Sequence, residues 1–186
     1  AISAQENNIL DASGGGDVTI AANSLSQGGT VTASNIDDAG AIRFDITGQL
    51  NMAGRIDASS TQGTGGDIRI SANSIIENQT NEIDASGRDG GGTISVTSAT
   101  GLVSSGDYDA SSSQGTGGQI DVTAEDLRLL GATLDASGAT QGGLVRVGGT
   151  FQGGKTPDIT QDYYDSFVGR WPELPSLRSA ARSFIN

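Results

Sequence analysis

The sequence predicts an all-β fold: a right-handed parallel β-helix of about six coils, followed by an irregular C-terminal cap or tail. Three observations lead there. One short segment recurs along the chain, its apolar positions return at a nearly constant spacing, and within each copy apolar and polar residues alternate. The clearest copy is EIDASGRDGGGTISV, Glu82 to Val96. It holds a short alternating run, a glycine-rich turn and a second alternating run. LDAS at Leu10, IDAS at Ile56 and Ile83, YDAS at Tyr108 and LDAS at Leu134 open five copies. NIDDAGAIRF from Asn35 reads as a weaker sixth.

The spacing carries the most weight. The first apolar residue of the second run falls at Val18, Ile42, Ile68, Ile94, Ile120 and Val145, in steps of 24, 26, 26, 26 and 25 residues. A third apolar position follows at Leu25, Leu50, Ile75, Leu102 and Leu127. A fixed period between about 20 and 50 residues is the mark of a repeat architecture.

The local period identifies the kind of repeat. Val18-Thr19-Ile20 and Ile68-Arg69-Ile70 alternate with the two-residue period of a strand, and β-branched residues dominate these runs. Each unit therefore holds two or three short strands between Gly, Ser and Asn turns. One such unit cannot bury a core alone, whereas stacked units can, because each strand pairs with its copies above and below. The expected hand follows from the general rule for parallel connections. At about 4.8 Å per coil, six coils make a rod of roughly 25–30 Å.

The register follows from the alternation. Ile68, Ile70, Ile94, Val96, Ile120 and Val122 are expected inside, with Arg69, Ser95 and Asp121 outside. Ala12, Ala58, Ala85, Ala110 and Ala136 stand two residues after the larger apolar residue, and so form an inward alanine ladder. With 29 glycines and 34% apolar residues, the composition suits a thin solenoid with a narrow interior.

Composition also excludes function classes. The net charge is −12, and residues 1–150 carry 18 acidic and 6 basic side chains, so nucleic acid and anionic lipid are not expected partners. No apolar run approaches 18 residues, so no transmembrane segment is expected. There is no cysteine and no histidine, which removes disulfides, Cys-based metal sites and His-based acid–base or haem chemistry. No signal peptide opens the chain at Ala1, and no cap precedes Leu10. A mature or excised segment that continues upstream is the expectation.

The expected domains are a β-helix over residues 1–150 and an extension over 151–186. The extension holds all three prolines and six of the eight aromatic residues. A short helix over Ser176 to Ile185 would place Leu177, Ala180, Ala181 and Phe184 on one face. The extension reads as a cap over the last coil, as an aromatic binding patch of Tyr163, Tyr164, Phe167 and Trp171, or as an extended, poorly ordered tail.

The other candidate site is the column Asp11, Asp57, Asp84, Asp109 and Asp135. Stacked carboxylates repel one another, and either calcium or local capping of the following turn could relieve them. Capping is the expectation, because each Asp recurs singly and precedes Ala and a turn-forming Ser. Neither a metal nor any other cofactor is expected. No catalytic residue is assigned: the acids are regular from coil to coil and no serine has a base partner. The outward column Thr19, Arg43, Arg69, Ser95, Asp121 and Arg146 is too mixed for an ice-binding threonine face.

The repeat IDASGRDGGGTISV, with ATLDASGATQGGLVRVGGTFQGG from Ala132 to Gly154, resembles the filamentous haemagglutinin-like exoproteins that Gram-negative bacteria secrete by the two-partner route. The resemblance covers roughly residues 9–154 and departs in the Tyr, Trp and Pro content after Gly154. It implies a secreted or cell-surface protein, passed through an outer-membrane transporter, that builds the structural and adhesive shaft of a large exoprotein. The implied partner is a surface receptor or polysaccharide on a host or neighbouring cell. The alternatives are a glycan-binding module using the C-terminal aromatics, or the stalk of a contact-dependent toxin.

Overall fold

A computed structural model of the chain describes residues 2–4 and 8–149. The chain separates into a unit spanning Ala1–Gly154 and a second spanning Lys155–Asn186. The aromatic patch, the expected helix and any cap lie outside the described residues.

The described residues form a β-solenoid of about six coils, with sixteen strands, no helix and parallel pairing throughout. Each coil contributes to three faces. The first face stacks Val18–Ala22, Ile42–Ile46, the start of Asp67–Glu77, the start of Thr93–Ser104, Gln119–Ala124 and Leu144–Gly149. The second stacks Ile2–Ala4, Leu25–Gln27, Gln49–Met52, the ends of the two long strands, and Asp126–Leu129. The third stacks Ile9–Asp11, Thr30–Thr32, Arg55–Asp57, Glu82–Asp84, Asp107–Asp109 and Thr133–Asp135.

The register is the one the apolar spacing predicts. Val18, Ile42, Ile68, Ile94, Ile120 and Val145 pair in succession, as do Leu25, Leu50, Ile75, Leu102 and Leu127. The six residues expected inside are buried, with Ile94, Val96, Ile120 and Val122 at 0% exposure. Arg69 is exposed, but Ser95 and Asp121 are half-buried. Asp121 is covered because Gln119 and Arg146 both donate hydrogen bonds to it.

The alanine ladder is inward and has a backbone reason. Ala33, Ala58, Ala85 and Ala110 are fully buried. The Ala58 N–H donates to the Asp84 carbonyl at 2.7 Å, and the Ala58 carbonyl accepts from Gly66 N–H at 2.8 Å. The first bond joins two coils and the second closes the turn. The same pair recurs at Ala85 with Asp109 and Gly92, and at Ala110 with Asp135 and Gly118.

One copy is placed differently from the sequence reading. The second coil's counterpart of IDAS is VTAS, Val31 to Ser34, not the NIDD that opens at Asn35. Val31 pairs with Ile56 and Thr32 with Asp57; Val31 is 3% exposed whereas Ile36 is 62% exposed. Thr32 fills the aspartate position because its hydroxyl serves the same turn, accepting from Ser34 N–H at 3.3 Å. The NIDDAG segment is the turn that follows.

Glycine columns bind the turns together. A Cβ on Gly92 would stand 2.6 Å from the Gly65 carbonyl carbon and closer still to the Gly66 oxygen. Gly40, Gly66, Gly118 and Gly143 meet the preceding coil in the same way. The coils approach there as only glycine permits.

Candidate functional site

The third face carries the aspartate column, and the local sequence explains how each side chain is held. In D-A-S the carboxylate folds back onto the backbone two residues on, an Asx turn. The Ser N–H donates to Asp Oδ1 at 2.8 Å for Asp11, 2.9 Å for Asp57, 2.9 Å for Asp84, 2.8 Å for Asp109 and 2.8 Å for Asp135. Ser59 and Ser86 add their hydroxyls at 2.7 and 2.6 Å. The bond from Ser13 holds the Asp11 carboxyl below the ordinary carboxylate range. Carboxylates elsewhere cap the next coil instead. Asp38 accepts from Thr64 N–H at 2.9 Å and from its hydroxyl at 2.7 Å, which lowers its pKa. Asp17 accepts from Ala41 N–H at 2.8 Å.

A cation enters the column at Arg55, which the sequence reading did not single out. It stands opposite Glu82 in the register. Its guanidinium forms an ion pair with Glu82, donates to Asp84 Oδ2 at 2.7 Å and lies 3.4 Å from Asp57 Oδ2. Burial alone would lower its pKa, but the Glu82 hydrogen bond and the three carboxylates outweigh that and raise it. One arginine thus relieves the repulsion between two neighbouring aspartates where the column is most enclosed, Asp84 being 9% exposed. The signal was present in sequence: Arg55 is the only basic residue at its position among Thr30, Glu82, Asp107 and Thr133.

The column's chemistry is that of a negative stripe with fixed carboxylates. Among the described residues no group of three acidic side chains could hold a metal ion. A shallow open groove of about 390 Å³, lined by Gly15, Asp17, Gly40, Gly66 and Asp67, runs beside the stacked turns.

A second polar feature lies inside the coil, between the second and third faces. Gln27, Met52 and Glu77 share one inward register column. Glu77 is 2% exposed, and its Oε2 accepts from the Ser104 hydroxyl at 2.6 Å and from the Tyr108 hydroxyl. Tyr108 Oη lies 3.0 Å from Ser104 Oγ. Glu77 Oε1, Gln27 Oε1 and both amide atoms of Asn81 are buried without a hydrogen-bond partner. Burial pushes the Glu77 carboxyl up, against the pull of its two donors. Burial also raises the Tyr108 phenol, helped by the neighbouring carboxylate. The visible signal was the Tyr that replaces Leu or Ile in YDAS.

The binding residues proposed from sequence, Tyr163, Tyr164, Phe167 and Trp171, lie outside the described residues. No family model, no curated protein and no solved structure matches the chain.

Proposed function

We propose that this chain is a structural and adhesive shaft segment of a large bacterial surface exoprotein. The observation that carries the reading is the register, which holds from coil to coil apart from one shift between Ser98 and Gly101. Three faces repeat through about six coils, and the third stacks Asp57, Asp84, Asp109 and Asp135 in one regular acidic column. Such a body serves as a stiff spacer that presents the same chemistry many times along its length. The resemblance of the DASG repeat to filamentous haemagglutinin-like exoproteins supports the same reading. Secretion through an outer-membrane transporter, a place on the cell surface and a receptor or polysaccharide partner belong to this proposal.

Bead adhesion tests it. Beads coated with the full chain and beads coated with residues 1–150 are applied to epithelial cells and to bacterial lawns, and both proteins are run on a glycan array. Adhesion retained by residues 1–150 is the expected result. Adhesion and glycan binding lost together on removal of residues 151–186 would move the function to the C-terminal aromatics. Absence of adhesion in both would overturn the adhesive role.

A further inference from the structure

The fourth coil breaks the pattern where it turns from the second face to the third. Two residues make this turn after Gln27, Met52 and Ser104, but four, Asn78 to Asn81, make it after Glu77. The longer turn follows directly on Glu77, whose carboxylate points into the core. Glu77 is 2% exposed and Asn81 1% exposed, and both carry side-chain atoms without partners. Among the described residues no cation pairs with Glu77. The charged groups on the strands around it are Glu82, Asp84, Asp107 and Asp109, which alternate with inward Ile83 and Tyr108. Arg55, on the coil before, is taken up by Asp57, Glu82 and Asp84. Met52 pairs with Glu77 in its own column, and Ser104 and Tyr108 donate to its carboxylate; none of the three is charged at neutral pH.

We propose that Glu77, Ser104 and Tyr108 form a proton-controlled clasp: with Glu77 neutral the Asn78–Asn81 turn stays closed on the core, and ionisation of Glu77 loosens that turn and weakens the rod. A charge in this place meets a low-dielectric interior with two donors and no counter-ion, which costs more than the neutral acid. The sign follows from linkage. The folded Glu77 carboxyl sits above its ordinary value of 4.5, so the folded chain binds a proton that the unfolded chain has released. The stabilisation is complete below about pH 4.5 and is lost as pH rises through the raised folded value. In that window the ratio of folded to unfolded chain falls by up to about tenfold per pH unit.

The test compares the full chain with Glu77→Gln, which keeps the shape and cannot ionise. Urea unfolding is followed at half-unit steps between pH 5 and 8, together with amide exchange at Asn78 to Glu82. The parent should lose stability with rising pH more steeply than E77Q. Exchange at these amides, corrected for its intrinsic pH dependence, should accelerate only in the parent. Parallel profiles for the two proteins would overturn the clasp. Should E77Q fail to fold, the Glu77 carboxyl carbon is titrated by NMR in the parent and in Tyr108→Phe. A midpoint well above 4.5 that moves higher when the tyrosine donor is lost supports the clasp. A midpoint at the ordinary value, or one unmoved in Y108F, rejects it.

Discussion

At the scale of single residues, the aspartates act through short-range bonds. Asp84 holds the Ser86 N–H and hydroxyl with one oxygen and Arg55 with the other. Asp84→Ala removes both and leaves polar groups enclosed, so a loss of about 1–3 kcal/mol is expected by thermal or urea unfolding. Asp84→Asn keeps an acceptor for the turn and loses the charge pairing, and should lie between parent and Ala. An Asn variant as damaging as Ala would mean that the ion pair with Arg55, not the Asx turn, is the main contribution. The same geometry predicts that a chelator leaves the melting temperature unchanged. A calcium site filled at a hundred times its Kd would add about 2.7 kcal/mol. A drop of a few degrees on chelation, reversed by calcium and absent in D84N, would show the column to be a metal site. Asp spacing was legible in the sequence, but the partner of Asp84 was not, because Arg55 is 29 residues away in the chain.

At the scale of the elements, turns and strands are held by different physics. The strands are held by apolar burial: Ile94 is 0% exposed, so Ile94→Asp should prevent folding by burying an unpaired charge. Retention of the parent's melting temperature would mean the register is wrong. The turns are held by close backbone approach. Gly92→Ala forces a methyl against the Gly65–Gly66 backbone of the coil before, and the coils must part to admit it. We expect a loss of about 3 kcal/mol or more. Gly142→Ala has open space around its Cβ and should be neutral or stabilising by about 0.4–1 kcal/mol through the unfolded chain. Equal losses in both variants would show that glycine matters here for flexibility rather than contact.

At the scale of the whole molecule, each coil touches only its neighbours, so stability is a sum of coils and interfaces. Removing residues 66–91 joins Gly65 to Gly92 and deletes one 26-residue repeat in phase. This chain should still fold, with strand-type circular dichroism and a urea m-value smaller by about one sixth. A polydisperse or unfolded product would show that the fourth coil has a role its neighbours cannot replace. The carboxylates also set a pH limit. Hydrogen bonds hold Asp11 and Asp38 below their ordinary value, and the Arg146 bond does so for Asp121. Folded values below unfolded ones mean that their stabilisation is present above about pH 4 and is lost as pH falls through the folded values. Glu77 has the opposite sign, so melting temperature should peak between the two limbs.

What the sequence determined by itself was the solenoid: the period, the strands, the inward apolar and alanine ladders and the register. These follow from alternation and spacing, which are properties of the chain read along its length. It also marked the aspartates as turn residues, since an Asx turn needs only a neighbour two positions on. Only the tertiary structure decided the rest. It placed the second coil's strand at Val31, because a threonine can stand for aspartate once stacking sets the phase. It brought Arg55 to Asp84 and Glu77 to Ser104 and Tyr108, contacts between coils whose partners are separated by 27 to 31 residues. A one-residue change in loop length would redirect such contacts, and the longer turn at Asn78 to Asn81 shows that loop length does vary. The apolar period tolerates that variation, because burial requires only that the side chain face inward. A hydrogen bond or an ion pair requires a particular neighbour, and stacking is what supplies it.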